Sequence, residues 1–464
     1  MTMTWFPVVW YPVLSAALYL TYIWYLSYPI PTPSYYKEDV IMHTLRACIM
    51  YILIESGHAL ARGALLALGR DDSQAMIHIE DGAHVIIAAH KAAESVQRIL
   101  PSVLSAFPAR RIWVADNGRE PDTAMQQLCL EEGIHYRFYS IPNKTYALYR
   151  TAEEVRRHDD KARAVLLLDD DTELPQGFVV RKDLLDEPLV GGYCVGIGIH
   201  RTPPWNLWEH LVDFEYRTIS YRHGLRAQSS NTIPFLHGIC AVYHLDRMIM
   251  LYSKLCTLPD GLPFGEDAFA GIDFRQAGYR LLQDNQQVVL TYCPRRLFPP
   301  LPGRSGEREQ GFGASSLWKQ RTLRWYLSWP RRIPSEAALF LSYDAGGWIA
   351  NVLYRLDLLW YALLMVVSSG WPFYIVRLAL QHQSWVLFGV MHASLYATSV
   401  LTATIRLLAF PRPLRLDVKW PTLLLVPLMN ITVCILMAFS FALSLLWYIP
   451  LRRINYQRCY ALAR

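Results

Sequence analysis

Val165–Pro175 reads VLLLDDDTELP. The four apolar residues Val165–Leu168 form the continuous run expected of a central strand in a parallel sheet covered on both faces. The carboxylates of Asp169, Asp170 and Asp171 follow where that strand would end, which is where open α/β sheets bind ligands. Three adjacent carboxylates repel one another unless a cation is near, and an all-oxygen donor set points to Mg2+ or Mn2+. Side chains alternate along extended chain, so Asp169 and Asp171 are expected to share one side while Asp170 faces the other. The plain alternative is an acidic turn closing a strand.

Around this stretch the chain alternates in the manner of βαβ units. His84–Ala89 reads as a short strand and Ala92–Leu100 as a helix closed by Pro101. Arg111–Ala115 is a second strand, followed by an Asp116-Asn117-Gly118 turn that sets another acid at a strand's carboxyl end. The expected fold is therefore α/β with a largely parallel sheet and crossover helices, the alternation fading after about Gly177.

Composition sets this domain between apolar segments. A chain of 464 residues, 53% hydrophobic and 13% aromatic, is too large and too apolar for one simple soluble domain, and its length allows about two to four units. The net charge of +6 comes from no long basic run, so nucleic acid is not an expected partner. Short basic groups sit beside apolar segments instead: Arg331 and Arg332, then Arg412, Arg415 and Lys419, then Arg452, Arg453 and Arg458. That placement suits the cytoplasmic rim of a multi-pass membrane protein in contact with lipid. The eight cysteines show no C-x-x-C pair or regular spacing, which reads as reduced packing thiols and argues against a zinc site.

Val8–Leu26 is long enough to cross a bilayer, and no basic segment precedes it as in a cleaved signal peptide. Ile41–Leu68 carries Arg46, Glu55, His58 and Arg62 and reads as a second span or as an interfacial helix. Asn351–Val376 and Ser384–Leu408 are further spans, while Pro421–Pro450 is longer than one span needs. Three later spans would leave the basic tail from Arg452 outside, against the positive-inside tendency, and a break near Pro427 would resolve this. The expected organisation is a membrane segment at 1–70, a cytosolic domain at 71–314, interfacial helices at 315–345 and a membrane region at 346–464.

The ordered set VIIAAHK (Val85–Lys91), VADNG (Val114–Gly118), NKTYAL (Asn143–Leu148), LLLDDDT, GED (Gly265–Asp267) and QRTLRW (Gln320–Trp325) resembles the processive membrane glycosyltransferases of family two. Hyaluronan, chitin and cellulose synthases belong there. The chain's length and flanking apolar segments look most like hyaluronan synthases and fungal type 3 capsular-polysaccharide-synthase-like proteins. The resemblance implies a glycosyltransferase A-type nucleotide-sugar-binding domain and a Mn2+- or Mg2+-dependent, inverting enzyme. It would be a plasma-membrane protein that extends a β-linked polysaccharide from a UDP-sugar and passes it across the membrane.

It also implies roles. Ala88, His90, Lys91 and Asp116 match uridine-binding loops, and Lys144 matches a lysine that approaches the diphosphate. Asn143-Lys144-Thr145 equally satisfies the N-glycosylation pattern, a reading incompatible with a cytosolic donor loop. Asp169 matches the residue near the ribose and Asp171 the metal ligand, with a register shift to Asp170 left open. Asp267 matches the general base for the acceptor hydroxyl, supported by Glu266. The family pattern is Q-x-x-R-W, whereas here Gln320 stands one place early and Arg321 takes its strict position. Arg324 would stabilise the departing UDP, and Trp325 would stack on the acceptor sugar beside His237, Gly238 and Gln320. Glu266 and Asp267 also serve as ordinary helix-start acids, Trp318–Arg332 reads as a basic aromatic interfacial helix, and a lone His237 suits a structural role. Pro302–Gly313 reads as a mobile loop that closes over the donor. A non-processive transferase and a non-catalytic channel or scaffold are the alternatives; the motifs fix neither the sugar nor the oligomeric state.

Overall fold

The computed structural model describes residues 82–141, 143–256, 265–298, 316–325, 329–359, 385–415 and 419–448. The expected spans at Val8–Leu26 and Ile41–Leu68 and the Pro302–Gly313 loop lie outside the described residues. The chain divides into two compact units, one ending at Ala345 and taking up the chain again from Ser440, the other holding Gly346–Phe439.

The first unit is built on an eight-stranded sheet: β1 (His84–Ala89), β2 (Ile112–Asn117), β3 (His135–Tyr139), β4 (Ala164–Asp169), β5 (Thr172–Glu173), β6 (Val190–Ile199), β7 (Cys240–His244) and β8 (Arg280–Thr291), in the spatial order β3-β2-β1-β4-β7-β6-β8-β5. β1, β2, β3 and β4 pair in parallel, as do β6 and β8, while β7 runs antiparallel to β4 and β6. This is an α/β domain with a mixed, mostly parallel sheet. The apolar run of β4 is buried from Ala164 to Leu168, and every residue of β1 (HVIIAA) and of the ten-residue β6 (VGGYCVGIGI) is buried. Strands covered on both faces need such unbroken apolar sequence.

The helices of this unit are α1 (Ala93–Ala106), α2 (Thr123–Glu131), α3 (Lys144–His158), α4 (Lys182–Leu185), α5 (Leu207–Ser229), α6 (Leu245–Cys256), α7 (Glu266–Gln276), α8 (Leu317–Gln320) and α9 (Trp329–Ser342). Two local expectations need correcting. Helix α1 does not stop at Pro101 but continues to Ala106. The carbonyl that Pro101 leaves unpaired belongs to Gln97, which is exposed and meets water, while Val96, Ile99, Leu100 and Val103 hold one buried face across the proline. Strand β2 likewise runs on through Asp116 and Asn117, because β3 pairs with it there (Asn117 opposite Tyr139) and the Gly118 N–H reaches Tyr139 O at 3.2 Å.

Register aligns the strand ends that matter. Ala88 lies opposite Asp169 on one side and Ala115 on the other, and Ala89 lies opposite Asp116. The carboxyl ends of β1, β2 and β4 therefore open onto one edge, where the order turns from β3-β2-β1 to β4, the topological switch of an open sheet.

The second unit holds α10 (Trp385–Ala409), α11 (Arg412–Arg415) and α12 (Trp420–Tyr448) as far as Phe439. Among the described residues no helix is long and apolar enough to cross a membrane. Helix α12 runs unbroken through Pro427, so the break that would have reconciled the topology is absent there. Leu423, Val426 and Met429 are buried while Leu424, Leu428 and Ile431 are exposed, a helical period kept on both sides of the proline.

A buried carboxylate ties α5 to β6. Asp213 Oδ1 accepts from Ile199 N–H (2.9 Å) and Arg217 Nε (2.8 Å), and its Oδ2 accepts from Arg201. Asp213→Ala is expected to cost about 3–5 kcal/mol of unfolding free energy, as when one partner of a buried ion pair is removed. Asp246→Ala, which breaks an exposed pair with Arg156, is expected to cost under about 1 kcal/mol. Chemical denaturation of the two variants checks the difference.

Candidate active site

Each chain segment that meets the switch edge brings a charge. Helix α3 is capped by Asn143, whose side-chain oxygen accepts from Tyr146 N–H at 3.1 Å, and begins at Lys144. From that first position Lys144 Nζ reaches Asp169 Oδ1 at 2.5 Å and Glu266 Oε1 at 3.3 Å. One ammonium thus joins the end of β4, the start of α3 and the start of α7. The asparagine of the glycosylation pattern is engaged as the cap of this helix, and Thr145 is buried.

The three aspartates are not equivalent. Strand β4 ends at Asp169, which takes the lysine. Asp171 Oδ1 accepts from Thr291 Oγ1 (3.0 Å) and Thr172 Oγ1 (3.3 Å), which anchors it to β8 and β5. Burial, then the charge of Asp169, push the Asp171 carboxyl up to about 7 despite those hydrogen bonds and Lys144. Asp170 is raised well above the usual range by burial, then by Asp171 and Asp169. A cluster that lifts its own pKa values by mutual repulsion and offers only oxygen fits a hard divalent cation such as Mn2+ or Mg2+.

Next to it, Gly265 adopts φ 77° and starts α7, a left-handed turn suited to glycine. Asp267, in the first turn, receives the Ala268 N–H on Oδ1 (2.8 Å) and the Gly238 N–H on Oδ2 (3.4 Å). Burial and the neighbouring Glu266 raise its carboxyl to about 6 against the opposing Ala268 N–H, Arg332 and Lys144. The result is a carboxylate poised to exchange a proton near neutrality, beside the acidic turn.

The loops after β1 and β2 adjoin. A Cβ on Gly118 would stand 3.0 Å from the His90 ring, so this glycine gives the exposed His90 its place. Lys91, also exposed, holds φ 53°, a strained conformation for a lysine. Asp116 is buried, and its Oδ2 already accepts from Tyr136 O–H (2.6 Å) and Asp122 N–H (2.9 Å).

The QRTLRW segment shows why its spacing departs by one residue. Helix α8 gives way at Arg321 to a π-helical turn over Arg321–Trp325. A π turn takes up one residue more than an α turn, so Gln320 and Trp325 keep the angular relation that Q-x-x-R-W has on an ordinary helix. Arg321 is buried, grips both carboxylate oxygens of Glu215 on α5 (Nη1 to Oε1 2.6 Å) and lies 5.1 Å from the Trp325 ring centre. Trp325 is half-buried with Tyr216 at 6.2 Å, and Gln320 Oε1 is buried without a hydrogen-bond partner among the described residues. His237 is buried, stacked on His223 and lowered to about 4 by burial; His223 is lowered well below its usual value, by burial first and then by His237.

Sequence reading missed the partners that fix these groups: Thr291 and Thr172 for Asp171, Tyr136 and Asp122 for Asp116, Glu215 for Arg321. Thr291 and Glu215 lie more than 100 residues from the side chains they hold, and no local pattern announces them.

No protein-family model matches this chain, and no curated protein matches it. Among solved structures it is similar to the mannosyltransferase PcManGT from Pyrobaculum calidifontis in complex with GDP-Man and Mn2+, at 14% identity over 85% of this chain and 98% of that chain (TM-score 0.43). It is also similar to GalNAc-T7 with UDP, GalNAc and Mn2+ (13% identity, 47% and 44% covered, TM-score 0.33). A third is glucosyl-3-phosphoglycerate synthase from Mycobacterium tuberculosis with Mn2+, UDP-glucose and glycerol 3-phosphate (14% identity, 48% and 75% covered, TM-score 0.29). All three TM-scores lie below 0.5, too low for the likeness to assign a function.

The raised carboxyls carry a consequence for stability. Asp171 and Asp267 have folded-state values near 7 and 6, above the ordinary 3.8. Their protonated forms therefore favour folding below about pH 4, and this contribution is lost as pH rises through 6 to 7. A divalent cation competes with those protons. Mn2+ is expected to raise the melting temperature clearly at pH 8 and little at pH 5, measured by differential scanning fluorimetry; an equal rise at both would contradict the assignment.

Proposed function

We propose that this chain is an inverting, divalent-metal-dependent glycosyltransferase that moves a sugar from a UDP-sugar to a growing β-linked polysaccharide at a membrane. The observation that carries the reading is Lys144, whose ammonium touches Asp169 on the metal-binding turn and Glu266 beside Asp267. A diphosphate held at the turn and a hydroxyl activated at α7 would be brought together by that contact.

Asp171 and Asp170, with Asp169 beside them, are the residues to hold Mn2+ or Mg2+, which when bound neutralises the diphosphate of the donor. Lys144 adds a second positive charge on the diphosphate side. The ends of β1 and β2, with Ala88 and Asp116, and the following residues His90 and Lys91 line the same edge of the sheet and suit a nucleoside. Asp267 takes the proton of the acceptor hydroxyl as that oxygen attacks the anomeric carbon and the bond to UDP breaks, inverting configuration. Two backbone N–H groups, from Gly238 and Ala268, hold its carboxylate, and the amino end of α7 favours the charged form. Arg324 is proposed to stabilise the departing UDP, and Trp325 to stack on the acceptor sugar. Arg321 is proposed to act from the donor side through its pairing with Glu215.

The membrane part of the proposal draws on the second unit. Tyr396, Leu401 and Leu408 of α10 and Leu424, Leu428, Ile431 and Ile435 of α12 are exposed, and α12 has no charged residue between Trp420 and Tyr448. Apolar side chains in such number on adjacent helices call for a lipid or protein cover.

UDP release by the full-length chain with Mn2+, offered UDP-glucose, UDP-N-acetylglucosamine and UDP-glucuronic acid separately, tests the reading. One or a pair of donors is expected to support release. Asp267→Asn is expected to lower kcat by about 10²–10⁴, the usual contribution of a positioned general base. The wild-type rate should rise with pH through about 6, because Asp267 must be deprotonated to act. No release with any donor, or an unimpaired Asp267→Asn enzyme, would refute it.

A further inference from the structure

We propose that Cys194, His223 and His237 form a zinc site beneath the loop that carries Gly238. The three come from separate elements: Cys194 from the middle of β6, His223 from the last turns of α5, and His237 from the segment leading into β7. One potential ligand atom from each lies within 4.8 Å of the others, and all three residues are buried. The inference does not rest on the transferase reading.

The chemistry of the set is selective. One sulfur and two imidazoles make a soft to borderline donor group, suited to zinc and foreign to Mn2+ or Mg2+, which prefer oxygen. It is thus separate in kind from the acidic turn after β4. Cys194 Sγ donates to Gln283 Oε1 at 3.0 Å, but one nitrogen of each imidazole has no partner among the described residues. His223 Nδ1 and His237 Nε2 are buried without a hydrogen-bond partner among the described residues, an arrangement that is costly unless something satisfies it. The two rings stack at 4.7 Å and 9°, and Phe235 stands edge-on to both at 5.5 Å, an apolar wall on that side.

The backbone is shaped to admit His223. A Cβ on the adjacent Gly224 would fall 2.1 Å from the Asn285 amide, so glycine there lets α5 press against β8 and carry the imidazole in over β6. Tetrahedral zinc with bonds of about 2.0–2.3 Å sets ligand atoms roughly 3.3–3.6 Å apart. Side-chain adjustments of about 1 Å, with the two parallel rings turning toward a common point, therefore bring the cluster to bonding distance. As the sulfur–zinc bond forms, the Cys194 thiol gives its proton to solvent. Gln283 Oε1, which lies 3.0 Å from Cys194 Sγ, is the oxygen at hand for a fourth position.

The site has a structural consequence. His237 precedes Gly238, whose N–H is held by Asp267. A cation binding His237 to β6 and α5 would fix the position of that N–H, making His237 a positioning residue for the loop.

Elemental analysis of the full-length protein, purified without added metal or chelator, is expected to find about one zinc per chain. After removal of zinc, Co2+ is expected to restore the site with a thiolate-to-cobalt charge-transfer absorption. Cys194→Ser, a one-atom change, and His223→Ala should each lower bound zinc at least tenfold and abolish that band. Asp171→Asn should leave both intact, which separates this site from the acidic turn. Wild-type protein with under about a tenth of an equivalent of zinc and no cobalt–thiolate band would overturn the proposal, whether or not the variants fold. Copper in place of zinc, or zinc unchanged in Cys194→Ser, would overturn it equally.

Discussion

A single ammonium group, that of Lys144 between Asp169 and Glu266, is the contact on which the arrangement of the site depends. Without a cation the carboxylates at the end of β4 and those opening α7 would repel each other across the switch edge of the sheet. All three partners are half-buried, so solvent screens much of the attraction, and the contact matters less for stability than for register. Its geometry follows from the fold: Asn143 caps α3 and makes Lys144 the first helical residue, while β4 ends at Asp169. One step of slippage in either element would aim the lysine elsewhere.

Around that clasp the acids divide by their surroundings. Asp169 takes the lysine ammonium. Asp171 is tied to two threonine hydroxyls yet pushed up by burial and its neighbour, and Asp267 is pushed up by burial and Glu266 while two backbone N–H groups hold it. Carboxyls raised by burial and by one another suit a site that supports both cation binding and proton transfer. Cys194, His223 and His237 carry the opposite donor character only a loop away, so the domain offers a hard and a soft place to bind a cation without either competing for the other's ion.

Much of this was legible in the linear chain where the signal was local. The apolar runs of β1 and β4, the acids at strand ends and the Gly-Glu-Asp start of α7 follow from periodicity and helix-start chemistry, and the structure bears those elements out. Local rules failed where tertiary contact outweighed them: Pro101 sits inside a helix because the opposite face is buried. The early glutamine of QRTLRW shows a subtler limit. Counting residues makes Gln320 appear misplaced, but a π-helical turn takes up the surplus, and helix type is not written in spacing. Groups assembled from distant segments left no pattern to read. Glu215 under Arg321, Thr291 under Asp171 and the Cys194 cluster each join segments far apart in sequence, so a rule that looks for paired cysteines could not find the last of these.

The central claim is that the acidic turn, clasped by Lys144, binds a divalent cation together with a nucleoside diphosphate. Calorimetric titration of UDP into the full-length chain, with and without Mn2+, tests it most directly. UDP is expected to bind only when Mn2+ is present, and Lys144→Met to weaken binding by at least about tenfold, or 1.4 kcal/mol. Equal UDP affinity with and without Mn2+, unchanged by Lys144→Met, would contradict it.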